Sequence, residues 1–178
     1  MTSREEQAAG RREQISSAAA ALFAEKGYYK TTTADVASAV GVTQPYVFHF
    51  FRTKEALYMS VLQRAAQQIR GAFEAVQAPP GELEQAMGHA FRELLEGGFR
   101  IEVLLCMTAH SIPEPGIRQY VQEEFASIHA GLKLRFERAG LEFPGFRATQ
   151  FIGLGLAIAL SELTGLKQLL PWEESLDC

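Results

Sequence analysis

The sequence has only two cysteines, Cys106 and Cys178, and they lie far apart in the chain. A small secreted protein held by disulfides needs several paired cysteines, so this pattern argues against that class. The N-terminus is polar and lacks the apolar core of a signal peptide. The longest uncharged apolar run, 151–161, is well short of the roughly 20 residues that a membrane span needs. We therefore expect a cytoplasmic protein without a membrane segment.

Signatures of catalysis are also scarce, with no glycine-rich phosphate loop, Cys-x-x-Cys pair or His-Glu-x-x-His motif. Glu102, Cys106 and His110 recur every four residues on one predicted helix face, and His89 and His129 lie on neighbouring helices. These residue types bind metals. Ligands spread over two helical turns rarely converge on one ion, however, and a buried cysteine is more often a small apolar residue. We predict no metal site, no cofactor and no enzymatic activity.

A strong positive charge is missing as well, since the net charge is -4. Residues 1–58 carry seven basic and six acidic residues, giving +1, and the remaining ten basic and fifteen acidic residues give -5. Any contact with DNA must therefore depend on a few well-placed cations and on backbone amides.

The chain is rich instead in apolar residues at helical spacing, which predicts an all-α fold. With 178 residues, 47% of them apolar, it can form one large domain or two small ones. The first amphipathic face has the spacing i, i+3, i+4, i+7, i+8 and consists of Ile15, Ala18, Ala19, Leu22 and Phe23. It predicts a helix over 10–26 that ends at Gly27, a residue suited to a left-handed cap. We expect residues 1–9 to form a mobile, charged arm.

The stretch 32–54 predicts two short helices joined by a tight turn, followed by the start of a longer helix. Thr32 and the aspartate three residues later form a capping box for the first helix. Gly41 can take the positive φ that the turn needs, and Thr43 is positioned to cap the next helix. Pro45 stands in the first turn of that helix, where a missing N–H costs nothing. This is the outline of a helix-turn-helix.

The second of these short helices has an unusual outer face. If Val47 and Phe51 turn inward, the side chains left outside are those of Gln44, Tyr46, His49 and Phe50. An amide can bind adenine through two hydrogen bonds in the major groove, and aromatic rings can contact thymine methyl groups. In the alternative interpretation, the aromatic rings pack against the following helix and the glutamine is an ordinary polar helix start.

The longer helix begins after Thr53, with Lys54 in its first turn and Arg52 just before it. A helix N-terminus has free N–H groups and positive partial charge, so this end is suited to a backbone phosphate. Such contacts set the position on DNA without reading its sequence. Alternatively, both cations are ordinary solvated charges.

Residues 11–58 resemble the N-terminal domain of the TetR family of bacterial transcription repressors, in the segments ALFAEKGY, TTADVASAVGV, TQPYVFHFF and RTKEALY. The resemblance implies a homodimer that inserts two recognition helices into a palindromic operator, and a helical C-terminal domain that binds a small effector. It divides the chain into a DNA-binding domain, 1–54, and an effector-binding and dimerisation domain, 55–178. The family often has Tyr-x-His-Phe where this chain has Phe48, His49, Phe50 and Phe51, so one usual contact is in question.

The DNA-binding residues follow from the resemblance together with the helix boundaries. Base contacts are expected from Gln44, Pro45, Tyr46, His49 and Phe50, and phosphate contacts from Thr32, Thr33 and Lys54, with Thr43 at the start of the recognition helix.

The C-terminal part carries several further amphipathic helices, separated by the break at 78–81 and by later glycines and prolines. Their apolar faces predict an effector cavity with a few polar side chains. Its candidate lining residues are Leu62, Phe91, Leu105, Thr108, His110, Phe125 and His129.

The last predicted helix contains the run FIGLGLAIAL. Glycine weakens a helix by up to about 1 kcal/mol relative to alanine, which suggests a close approach to another helix. A C₂ dimer would supply one by pairing the last two helices with their mates; burial inside the same chain is the alternative. The predicted interface residues are Phe151, Gly153, Leu154, Ala157, Ala159 and Ser161.

These patterns together predict a DNA-binding regulator of transcription, a homodimeric repressor that a small, largely apolar effector releases from a double-stranded operator. Two alternatives stay open. One is a DNA-binding organiser without a ligand, and the other is an all-helical ligand carrier or enzyme.

Overall fold

The computed structural model describes residues 3–170, and the regular secondary structure of this part of the chain is helical, with no strand. The α-helices are α1 (Ser3–Lys30), α2 (Thr33–Ala39), α3 (Gln44–Phe50), α4 (Lys54–Ala75), α5 (Leu83–Glu96), α6 (Arg100–Thr108), α7 (Pro115–Arg138) and α8 (Pro144–Thr164). The predicted all-α fold is confirmed. Within these residues no helix combines the length and apolarity needed to cross a bilayer.

The caps, the turn and the helix start predicted for the helix-turn-helix are largely confirmed. Thr32 accepts a hydrogen bond from the backbone N–H of Asp35, and the Asp35 carboxylate accepts one from the N–H of Thr32, at 3.1 and 2.8 Å. Gly41 has φ 68° in the turn, and Pro45 lies in the first turn of α3. Thr43 is the N-cap of α3, but its side chain makes no capping hydrogen bond. The turn geometry therefore starts α3 without help from that hydroxyl.

The first helix differs from the prediction at its N-terminal end. Residues 1–9 were expected to form a mobile arm, but α1 already begins at Ser3; Met1 and Thr2 lie outside the described residues. Acidic residues in its first turn suit the positive end of the helix dipole. Because this end buries no apolar face, periodicity gave no signal of it. The helical path is interrupted at Gly27, where φ is 79°.

The apolar core under α1–α3 continues into the C-terminal helices. Ile15, Phe23 and Val47 belong to the same buried cluster as Leu62 of α4 and Ile117 of α7. The helix-turn-helix is therefore joined to α4, α6 and α7 by a shared core, in which α1 packs on α4 and α6. The division at residue 54 stays a prediction, since the core is continuous across it.

Two further clusters hold the C-terminal helices together. One is built around Phe91 of α5, Val103 of α6 and Ile158 of α8. The other includes Met87 of α5 and Phe136 of α7. Between them, α5, α6, α7 and α8 surround the second half of α4.

Polar side chains of α7 also hold α4. Arg135 donates hydrogen bonds to the carbonyl oxygens of Phe73, at 2.6 Å, and of Val76, at the C-terminal end of α4. One helical turn earlier on α4, Arg70 forms an ion pair with Glu124 of α7. Motion of α4 is therefore tied to the position of α7.

Candidate nucleic-acid interface and internal cavity

The recognition helix α3 is oriented as its sequence predicts. Val47 and Phe51 are buried in the first core cluster. The opposite side presents exposed side chains, those of Gln44, Pro45, Tyr46 and His49. Apolar packing on one side therefore holds the helix in place, and a polar and aromatic surface is exposed on the other side.

Gln44 is held in place by the preceding helix. Its amide nitrogen donates a hydrogen bond of 2.8 Å to the hydroxyl of Thr33, which is only 6% exposed. A glutamine amide has two N–H groups and a carbonyl. One N–H can therefore stay on Thr33 while the other N–H and the carbonyl face a base edge. The hydroxyl of Thr33 lies under Gln44 instead of on the open surface.

Three aromatic side chains of α3 form a small group on this surface. The ring of Phe50 meets those of Tyr46 and His49 edge-on, with centroid distances of 5.3 Å in both pairs. Phe50 is half-buried, whereas 39% of Tyr46 is exposed. The tyrosine and histidine rings are thus supported from one side by Phe50 and remain accessible from the other.

The cation expected to meet a phosphate is engaged with the end of α1. The Lys54 ammonium donates a 3.1 Å hydrogen bond to the carbonyl of Tyr28 and lies 4.4 Å from the centre of the Tyr28 ring. An ammonium has three donors, so two remain for a phosphate.

The hydroxyls of the two capping threonines are already engaged. Thr53 caps α4 by accepting a hydrogen bond from the N–H of Ala56. The Thr32 hydroxyl donates to Asp35 within the capping box.

The sequence analysis missed the part that α1 plays at this surface. Arg12 donates a hydrogen bond to the carbonyl of Phe50 at the end of α3, and its guanidinium lies 4.6 Å from the centre of the Phe51 ring. Arg11 lines a groove between α1 and α3 together with Tyr46. The available signal was spacing, since Arg12 precedes the buried Ile15 by three residues and shares its helix face.

An apolar cavity of about 40 Å³ lies among α4, α5, α6, α7 and α8. Its lining residues are Ile69, Phe73, Gly88, Phe91, Met107, Phe125, Ile128, Leu132, Phe151, Ile152, Leu154, Gly155 and Ile158. Of the predicted pocket residues, Phe91 and Phe125 line it. Phe151 and Leu154, which were predicted at a dimer interface, line it as well.

The other predicted pocket residues lie elsewhere. Leu62 is fully buried in the cluster under the helix-turn-helix. Leu105 and Thr108 line a separate cleft between α1 and α6. His110 is exposed. His129 contacts α8, with its Nε2 atom 3.2 Å from the hydroxyl oxygen of Thr149.

Four of the cavity residues that the sequence analysis missed continue the apolar faces of their helices. Ile69 and Phe73 continue the apolar face of α4 one and two turns beyond Ala65, and Ile128 and Leu132 continue that of α7 beyond Phe125. Polar residues were expected in the cavity as fixtures for a ligand, but none of its lining residues is polar. Helical periodicity places these four residues on apolar faces, but it does not show that those faces enclose a cavity.

The predicted dimer residues of α8 divide between two faces. Ala159 and Ser161 are buried inside the chain, each 2% exposed. Gly153 is exposed, and apart from its chain neighbours and the backbone of its own helix no described atom lies within 4 Å of the place where a side chain would begin. The exposed side of α8 also carries the apolar residues Phe146 and Leu160.

The titratable residues of the core do not form a metal site. Among residues 3–170, no group of three histidine, cysteine or acidic residues is arranged to hold an ion. Burial raises the pKa of the Cys106 thiol to about 11. This side chain is therefore a protonated, small apolar residue at neutral pH.

Comparison with known proteins agrees with this architecture. The family model described as "Bacterial regulatory proteins, tetR family" matches residues 15–61, from the first buried residue of α1 into α4. The HTH-type transcriptional repressor KstR2 of Rhodococcus jostii is 33% identical over 69 residues, which cover 39% of this chain and 34% of KstR2. This chain thus aligns with only about a third of that relative.

Two further matches, one in sequence and one in fold, extend over most of the chain. The HTH-type transcriptional regulator BetI of Escherichia coli O157:H7 is 28% identical over 159 residues, covering 86% of this chain and 80% of BetI. The crystal structure of AibR in complex with isovaleryl coenzyme A and operator DNA has a TM-score of 0.69 and 23% identity, covering 84% of this chain and 86% of AibR. The family match therefore places residues 15–61, which hold the helix-turn-helix, in the TetR family of bacterial regulatory proteins, and the described C-terminal helices share their fold with a solved structure that was determined on operator DNA.

Proposed function

We propose that this protein is a cytoplasmic transcriptional repressor that binds a palindromic operator as a homodimer and leaves it when a small effector binds. The observation that carries the proposal is α3, whose free face of Gln44, Tyr46 and His49 stands on the buried side chains Val47 and Phe51. The names of KstR2 and BetI, both regulators of transcription, support it.

The proposed contacts with DNA divide into two kinds. Base edges in the major groove would be met by the exposed residues of α3, namely Gln44, Pro45, Tyr46 and His49, together with the accessible part of the half-buried Phe50 ring. Phosphates would be met by Lys54 and by the backbone near Thr32 and Thr43, while Thr33 acts through Gln44. This assigns Thr33 a positioning role in place of the expected phosphate contact.

Dimerisation through α7 and α8 would place two copies of α3 in successive major grooves, about 34–36 Å apart. The exposed face of α8 supports this arrangement, because Phe146, Gly153 and Leu160 would otherwise leave apolar surface in water. Pairing of these two helices with their mates forms a four-helix bundle around the two-fold axis.

The effector site is proposed at the apolar cavity. At about 40 Å³ the cavity is far smaller than the roughly 300–1,000 Å³ of small-molecule sites. A ligand must therefore push the surrounding helices apart. Ile69 and Phe73 of α4 line the cavity, and the same helix begins at Lys54 beside the DNA-binding surface. Effector binding would thus shift α4 and change the separation of the two recognition helices.

A gel-shift experiment with DNA from upstream of the protein's own coding region tests the proposal. We expect a specific complex that an effector disperses, with a coupling of about 1–3 kcal/mol between the two ligands. Binding that no candidate ligand releases would favour a DNA-binding organiser. If the protein bound no DNA at any salt concentration, a helical carrier or enzyme would become the better assignment.

The dimer is tested by Gly153→Leu. If α8 packs closely on its mate, the added side chain should overpack the interface at a cost of about 1–3 kcal/mol, so that dimerisation weakens about 5- to 150-fold. Sedimentation velocity over a range of concentrations measures the change.

The matched control is Gly71→Leu on the exposed side of α4, where again no described atom outside the neighbouring backbone of that helix lies within 4 Å of the added carbon. It should leave the dimer intact. Equal behaviour of the two variants would exclude Gly153 from the interface.

A further inference from the structure

The apolar cavity continues into a second space. A cleft of about 410 Å³ opens between α4 and α7. It shares four lining residues with the cavity, namely Ile69, Phe73, Ile128 and Leu132. A ligand that spreads these side chains would occupy both spaces, and the combined volume is in the range of sites for small molecules.

The cleft differs from the cavity in its charge. Three arginines line it, Arg70, Arg135 and Arg138, against one carboxylate, Glu74. The whole chain has a net charge of -4, so the charge of this cleft is opposite in sign to the net charge of the protein. A site that is apolar at one end and cationic at the other fits a ligand with an apolar tail and an anionic head.

The three arginines differ in how firmly they are held. Arg135 is committed to the carbonyl oxygens at the end of α4. Arg138 is exposed and makes no ion pair within residues 3–170. The side chain of Arg70 is 39% exposed and pairs with Glu124, which also accepts a hydrogen bond of 3.3 Å from the Tyr120 hydroxyl. Arg70 and Arg138 are therefore the two cations that a ligand can reach.

We infer that the effector is an amphipathic anion whose tail enters the apolar cavity and whose head pairs with Arg70 and Arg138, replacing Glu124 as the partner of Arg70. The inference rests on the proposed function and names the chemical class of its ligand. Exchange of the partner breaks the ion pair between α4 and α7, while Glu124 keeps the hydrogen bond from Tyr120. The head group thus loosens α4 at the point where the tail pushes on it.

A second cleft, between α5 and α8, supplies a control for this assignment. It also borders the cavity and contains two arginines, Arg92 and Arg147. Arg147 forms an ion pair of 2.8 Å with Glu84 and donates a 2.8 Å hydrogen bond to the carbonyl of Glu142. Arg147 is thus held by α5 and by the turn before α8, so an anion that pairs with Arg147 would not exchange a contact of the helix that leads to the DNA.

The test compares decanoate with decanol, which share an alkyl chain and differ in the charge of the head. Isothermal titration calorimetry of the full-length protein should show that decanoate binds at least about 10-fold more tightly, since a hydrogen bond to a charged group contributes about 1.5–3 kcal/mol. Arg70→Gln should remove this preference, whereas Arg147→Gln should keep it. Glu124→Gln should instead strengthen decanoate binding, because the competing carboxylate is gone.

Weaker decanoate binding in Arg70→Gln and tighter decanoate binding in Glu124→Gln cannot both arise from misfolding. Equal affinities for decanoate and decanol, or a preference lost in Arg147→Gln and kept in Arg70→Gln, would overturn the inference. Calorimetry measures ligand binding in the absence of DNA. If decanoate binds as expected but does not disperse the operator complex, the release mechanism fails and the ligand class stands.

Discussion

Phe51→Ala is expected to lower the free energy of unfolding by about 3–5 kcal/mol, the usual cost of removing a buried phenylalanine. Phe51 is 2% exposed and is the C-cap of α3, where its ring packs in the cluster that joins the helix-turn-helix to α4, α6 and α7. The Arg12 guanidinium lies over the same ring and contributes a cation–π interaction. Urea-induced unfolding followed by circular dichroism measures the change.

Phe48→Ala is the matched control for this prediction. Phe48 lies on the same short helix and is 40% exposed, so the same chemical change should cost less than about 1 kcal/mol. Operator binding should be lost in Phe51→Ala at temperatures where the helix-turn-helix no longer folds. Similar losses of stability in the two variants would show that α3 is not seated on Phe51.

Gln44→Ala is expected to weaken operator binding by about 1–3 kcal/mol, or about 5- to 150-fold, with little effect on random DNA. The amide is exposed at the start of α3 and is held by the hydroxyl of Thr33. The substitution removes a side chain that contacts base edges, and it removes no positive charge. Fluorescence anisotropy with operator and random duplexes measures both affinities, and their salt dependence should stay unchanged.

Thr33→Val tests whether the hydrogen bond that orients the Gln44 side chain contributes to operator binding, while the amide that contacts the base is kept. The substitution keeps the shape of the buried side chain and removes the acceptor for the amide, so operator affinity should fall in the same direction but less than in Gln44→Ala. Thr33→Ser keeps the acceptor and should bind nearly normally. An equal loss on operator and random DNA in Gln44→Ala would show that the residue does not read bases.

The local structure of the DNA-binding half could be predicted because short-range chemistry decides it. The Thr32 capping box, the positive φ of Gly41, the position of Pro45 and the inward turn of Val47 all depend on residues within a few positions of each other. The same reasoning failed for the start of α1. There, a helix exposed on all sides leaves no apolar pattern to recognise.

The cavity could be predicted only in part. Phe91 and Phe125 were identified because they lie on apolar helix faces, but His110 and His129 were included for their chemistry and lie elsewhere. Which face of a helix meets which neighbour depends on how five helices cross, and sequence periodicity gives no crossing angle. The same limit applies to α8, whose Phe151 and Leu154 line the cavity.

By itself, the sequence determined the helical fold, the helix-turn-helix and the face that α3 exposes, because caps, turns and amphipathic spacing act locally. Only the tertiary structure decided that Arg12 supports α3, that Thr33 holds Gln44 and that Arg70 pairs with Glu124. Each of these contacts joins different helices, in the last case across 54 positions. Residues so far apart in sequence are brought together by burial of the shared apolar core, and that packing is a property of the whole chain.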